Sequence, residues 1–111
     1  MRAEIRVEHR YPDALRFLQQ HGPEALAVLH DLLVNAARRD GELVVETSVR
    51  RVADRLQFIS KDTVHRRLRQ LLNAGVLRPA SVTRPAHFAP RAYTVDLSGT
   101  GISVNGAPTR R

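Results

Sequence analysis

The chain contains no cysteine. Disulfides and thiolate metal sites are thereby excluded, and a cytoplasmic setting is expected. Tryptophan is absent, and the aromatics are three phenylalanines and two tyrosines. The core must then be built mainly from Leu, Val and Ala, and no aromatic platform for stacking single-stranded bases is visible. No apolar run approaches the ~20 residues of a membrane span. The opening Met-Arg-Ala-Glu-Ile-Arg lacks the apolar centre of a signal peptide, so no membrane partner is expected. His9, His21, His30, His65 and His87 are scattered, with no pair at metal-ligand spacing, so neither a metal nor a cofactor is expected. Ser60, Asp62 and His65 lie close together, but Ser60 reads as a helix cap whose hydroxyl is already engaged. Without a separate base or oxyanion feature, no enzymatic activity and no catalytic residue is expected. Gly99-Thr-Gly101 is too short for a phosphate loop and reads as a turn.

What the chain has in excess is positive charge. It is 111 residues long, the length of one domain, and carries a net charge of +7. Arginine supplies nearly all of it, a bias that fits a GC-rich genome. The distribution is more telling than the total. Residues 50–91 hold ten basic side chains against two acidic ones. Residues 1–49 hold six against eight. Charge focused on one segment is the footprint of a polyanionic partner.

The basic segment is organised around Ser60 to Gly75, which the spacing predicts to be one helix. Ser60 is a suitable N-cap, Asp62 complements the dipole of the first turn, and Gly75 can take the left-handed conformation that closes a helix. Val64, Leu68, Leu71 and Leu72 form an apolar stripe. Asp62, Thr63, Arg66, Arg69, Gln70 and Asn73 lie opposite, with Lys61 and Arg67 on the flanks.

Ahead of this helix, residues 3–9 alternate weakly as a short strand. Pro12 and Asp13 open a short helix with Leu15, Phe17 and Leu18 on one side, broken at His21-Gly22-Pro23. Pro23 then suits the first position of a second helix. Its apolar periodicity predicts that it runs to about Arg39, with Arg38 and Arg39 at its C-terminal dipole and Gly41 as the stop. Leu43-Val44-Val45 reads as a small strand. Thr47 or Ser48 caps a third helix over Val49 to Gln57, with Val52, Ala53 and Leu56 inward and Arg50, Arg51, Asp54 and Arg55 outward. Beyond Gly75, Val76 to Thr83 reads as a strand interrupted by Pro79, which marks an edge or a bulge. Residues 84–91 form a loop stiffened by Pro85 and Pro90, and Ala92 to Leu97 is the returning strand. Ile102-Ser103-Val104 adds a last short strand, and residues 105–111 are expected to fray.

Helix, strand, helix, tight connection, helix and β-hairpin is an order that resembles the winged helix–turn–helix of bacterial transcription regulators. Ser48-Val-Arg-Arg-Val-Ala-Asp-Arg-Leu56 is similar to the family's supporting helix. Ser60-Lys-Asp-Thr-Val-His-Arg-Arg-Leu-Arg-Gln-Leu71 resembles its recognition helix, and Asn73-Ala-Gly-Val-Leu-Arg78 its exit into the first wing strand. The resemblance covers residues 24–97. The turn departs from the usual Leu-Gly-aliphatic-Ser: here it is Leu56-Gln57-Phe58-Ile59-Ser60, one residue longer and without the glycine. The extra residue is expected to spare Gln57 a positive φ.

The resemblance implies an α+β winged helix–turn–helix, with a three-helix core, a β-hairpin wing and short extra elements at both termini. Its parts would be an N-terminal extension over 1–22, the winged domain over 23–97 and a C-terminal tail over 98–111. The implied function is sequence-specific binding of duplex DNA by a small, bacterial, homodimeric regulator of transcription. The dimer surface would come from Asp13 to Arg39 or from the terminal strands, and no effector is legible. Lys61, Thr63, Arg66, Arg67 and Gln70 would meet bases and nearby phosphates, with Ser60 at the head of their helix. Ser48 would offer a helix N-terminus to a phosphate. Arg84, His87 and Arg91 would reach the backbone or a minor groove from the wing. The rival reading is a winged helix used for protein–protein contact without DNA, which expects mixed charge over the same helix and loop.

Overall fold

The computed structural model describes residues 5–80 and 91–109, which form an α+β fold of four helices and two antiparallel sheets. In chain order the elements are β1 (Arg6–His9), α1 (Asp13–His21), α2 (Pro23–Val34), β2 (Ala37–Arg39), β3 (Glu42–Thr47), α3 (Val49–Leu56), α4 (Lys61–Asn73), β4 (Leu77–Pro79), β5 (Arg91–Val95) and β6 (Ile102–Asn105). One sheet has the order β2-β3-β5-β4, and the other pairs β1 with β6. The core lies where α2, α3 and α4 meet the larger sheet: Leu29, Leu32, Val52, Val64, Leu71, Val45 and Leu77 have almost no solvent contact.

The caps of the two helices in the basic segment follow from their sequences. Ser48 Oγ accepts the Arg51 backbone N–H at 3.2 Å, and Ser60 Oγ accepts that of Thr63 at 3.2 Å. Each satisfies one of the donors that a first helical turn leaves unpaired. Thr47, the other candidate cap, is instead buried. At the far end of α4, Gly75 sits at φ 79°, the Val76 N–H reaches Leu71 O at 3.0 Å, and the Gly75 N–H reaches Leu72 O at 3.1 Å. This pair of bonds is the Schellman closure, and the left-handed residue in it favours glycine.

Four expectations are corrected. The second helix stops at Val34, not near Arg39. Asn35 and Ala36 tighten its end with bonds to Leu32 O and Leu33 O, and residues 37–39 turn into β2. Asp40 and Gly41, both at positive φ, form a two-residue hairpin loop that sets Arg39 opposite Glu42. Asp-Gly between short strands is a strong hairpin signal, and it outweighs the helical spacing before it. Next, Gln57 does take a left-handed conformation, at φ 66°, despite the longer turn. Its N–H bonds to Ala53 O at 2.9 Å, closing α3, so the helix end imposes the conformation. The tail to residue 109 does not fray: β6 pairs along β1, and the Arg38 N–H bonds to Pro108 O at 2.7 Å. In α1, Phe17 is buried but Leu15 points outward. The two terminal strands, one option for a dimer surface, are thus hydrogen-bonded to each other within the chain.

Candidate nucleic-acid interface

One turn of α4 after another presents the same three environments, because successive residues step by about 100° around the axis. Val64, Leu68 and Leu71 are buried against the core. Lys61, Asp62, His65, Arg66, Arg69 and Asn73 are exposed. Thr63, Arg67 and Gln70 occupy one flank and are half-buried.

That flank is spoken for. Arg67 Nη2 lies 3.0 Å from Glu24 Oε1 on α2, and Arg67 Nη1 donates to Gln70 Oε1 at 3.0 Å. Gln70 Nε2 donates in turn to His21 O at 3.1 Å, at the end of α1. Arg67 and Gln70, expected near bases and phosphates, thus fasten α4 to the first two helices. Thr63 belongs to the cap: its hydroxyl accepts from Ser60 Oγ at 3.0 Å and from Arg66 Nη2 at 3.3 Å. Arg66 is otherwise free to extend from the helix.

On the opposite flank α4 borders a groove of about 210 Å³. Thr47, Ser48 and Val49 form one wall, His65, Leu68, Arg69 and Leu72 another, and Arg91 and Tyr93 of β5 the third. Strand register explains the meeting: Arg91 is the partner of Thr47, so the start of β5 stands beside the N-terminus of α3. Ser48 and Arg91, expected from the sequence, are thus brought together. His65 and Arg69, absent from the expected set, join them. Their signal was the 3.6-residue period, which carries positions 65 and 69 onto one side of the helix with Leu72. Arg84 and His87 lie outside the described residues.

Ion pairing sorts the arginines. Arg55 forks onto Asp31 of α2, with Nε to Oδ1 at 2.9 Å and Nη2 to Oδ2 at 2.8 Å, and also donates to Thr47 Oγ1. The hydrogen bond that Arg55 donates to Asp31 raises the guanidinium above its ordinary pKa, against a smaller opposing effect of burial. Arg55 is exposed, as expected, and its guanidinium also pins α3 to α2. Arg16 pairs with Asp13 and Arg78 with Asp96. Lys61, Arg66, Arg69 and Arg91, together with Arg50 and Arg51 in the first turn of α3, have no ion pair among the described residues.

Among the described residues, no group of three or more His, Cys, Asp or Glu side chains is placed to hold a metal ion, and no helix is long and apolar enough to cross a membrane. Comparison with protein-family models, curated proteins and solved structures found no match.

Proposed function

We infer that this chain is a winged helix–turn–helix protein that binds duplex DNA, with α4 entering the major groove. One observation carries the reading. Glu24 and Asp31 of α2 pair with Arg67 and Arg55, whereas Lys61, Arg66 and Arg69 of α4, Arg50 and Arg51 in the first turn of α3 and Arg91 at the start of β5 make no ion pair among the described residues. Thirteen residues of α4 make a rod about 20 Å long, and a helix fits the ~12 Å width of the major groove. Arg66 and Arg69 then face base edges, where an arginine can bond guanine with both ends of its fork. The groove beside them, with the α3 N-terminus and Arg91, receives the phosphates of one strand. Thr63, Arg67 and Gln70 support the helix from behind.

Regulation of transcription by a cytoplasmic homodimer belongs to the same proposal, since one small module offers too little contact for tight specific binding. Selection from a random duplex pool, followed by salt titration, tests it. Affinity should fall with salt at a slope of about −0.9 per phosphate neutralised. No retention of any duplex at low salt would sink the reading and favour the protein-contact alternative.

A further inference from the structure

The turn between α3 and α4 exposes an aromatic that the core does not use. Phe58 is 71% exposed, whereas its neighbour Ile59 is 6% exposed and belongs to the core. Both ends of this turn are fixed. Gln57 closes α3 at φ 66°, the Phe58 N–H bonds to Leu56 O at 2.8 Å, and Ser60 caps α4. A left-handed glutamine is a conformation that L side chains seldom adopt, and its cost is borne by the surrounding structure. What the arrangement achieves is to direct Ile59 inward and Phe58 outward, two residues ahead of the cap of α4. Compared with the shorter Leu-Gly-aliphatic-Ser turn, Phe58 is the additional residue. Lys61 follows it on the same end of α4, exposed and without an ion pair among the described residues.

An exposed phenylalanine at the leading end of a helix that enters a major groove meets one apolar feature there, the C5-methyl group of thymine. We propose that Phe58 is a specificity-determining residue that packs against a thymine methyl at the edge of the site read by α4. This rests on the DNA-binding reading above, and adds to it a base preference produced without a hydrogen bond. Contact with a deoxyribose is the same whatever the base, so a base-dependent effect of Phe58 identifies the thymine methyl.

The test uses a duplex recovered by selection, with each thymine replaced in turn by deoxyuridine. That change removes the methyl group and keeps base pairing. For the wild-type chain, one position should show a loss of about fourfold, the worth of one buried methyl. Phe58→Ala should bind the thymine and uracil duplexes equally, and its thermal midpoint should match the wild type, because Phe58 is outside the core. Equal binding of every uracil duplex by the wild-type chain overturns the proposal while leaving DNA binding intact. A uracil penalty that persists in Phe58→Ala assigns the contact elsewhere and also overturns it. A change in oligomeric state on Phe58→Ala, with methyl sensitivity retained, makes Phe58 a contact between copies. Failure of the wild-type chain to retain any duplex removes the DNA reading, and this proposal with it.

Discussion

Arg66 and Arg67 are adjacent in the chain, and replacing each by alanine should damage different properties. Arg67 holds Glu24 at 3.0 Å and Gln70 at 3.0 Å, and its side chain is 30% exposed against 46% for Glu24. An ion pair this open to solvent contributes only about 0.2–1 kcal/mol. The charged hydrogen bond to Gln70 adds about 1 kcal/mol once its exposure is discounted. Gln70 keeps its bond to His21 O, so the mutation leaves no fully orphaned amide. Arg67→Ala should therefore cost about 1–2 kcal/mol of stability, a fall of roughly 4–15 °C in thermal midpoint for a chain of this size. Its preference among DNA sequences should be unchanged under conditions where it is folded. Arg66 makes one long, exposed bond to Thr63 Oγ1, at 3.3 Å. Arg66→Ala should shift stability by less than about 0.5 kcal/mol. It should lose about 1–3 kcal/mol of affinity at one base position and relax the preference there. Thermal melts, together with titration of selected and scrambled duplexes, separate the two. A Glu24→Gln, Arg67→Ala double-mutant cycle with no coupling energy would show that the pair does not hold α4. An Arg67→Ala protein with an unchanged midpoint and altered base preference would refute the assignment of that flank to packing.

Leu68 is 3% exposed in the middle of the buried stripe. Leu68→Ala should cost about 2–5 kcal/mol by calorimetry, through the cavity left behind. Arg55→Ala leaves the Asp31 carboxylate, 7% exposed, without its partner. A loss of about 2–4 kcal/mol in urea melts is expected, short of the full cost of a buried pair because the Arg55 end reaches solvent. His30 should make stability depend on pH: burial lowers its pKa, and His9, whose Nε2 lies 2.8 Å away, lowers it further. The unfolded chain then takes up this proton more readily, so stability contributed by neutral His30 is intact above about pH 6.5 and is lost as pH falls through the folded-state pKa. His30→Gln should flatten that dependence in midpoints measured between about pH 7.5 and 5, and an unchanged slope would rule out the pair as its source.

Local chemistry was legible wherever a residue acts on its own neighbours. Ser48 and Ser60 cap their helices by bonding three residues ahead, Gly75 closes α4 through its own φ, and the stripe of Val64, Leu68 and Leu71 follows from helical spacing. The end of α2 was legible in principle in Asp40-Gly41, but Ala36 and the basic pair Arg38-Arg39 continue a helical pattern that competes with it. By itself, then, the sequence determined where the helices begin, the N-cap of α4, the concentration of positive charge and the apolar face of α4. Only the tertiary structure decided which basic side chains remain free. Arg67 and Gln70 look like their exposed neighbours in sequence, yet their partners Glu24 and His21 are 43 and 49 residues away. Arg55 finds Asp31 across 24 residues in the same way. Such pairings depend on how α1, α2 and α4 cross, which is set by the packing of whole faces and not by any local run of residues. The same packing places Arg91 beside Thr47 and Ser48, and so builds a groove from three segments that share no motif.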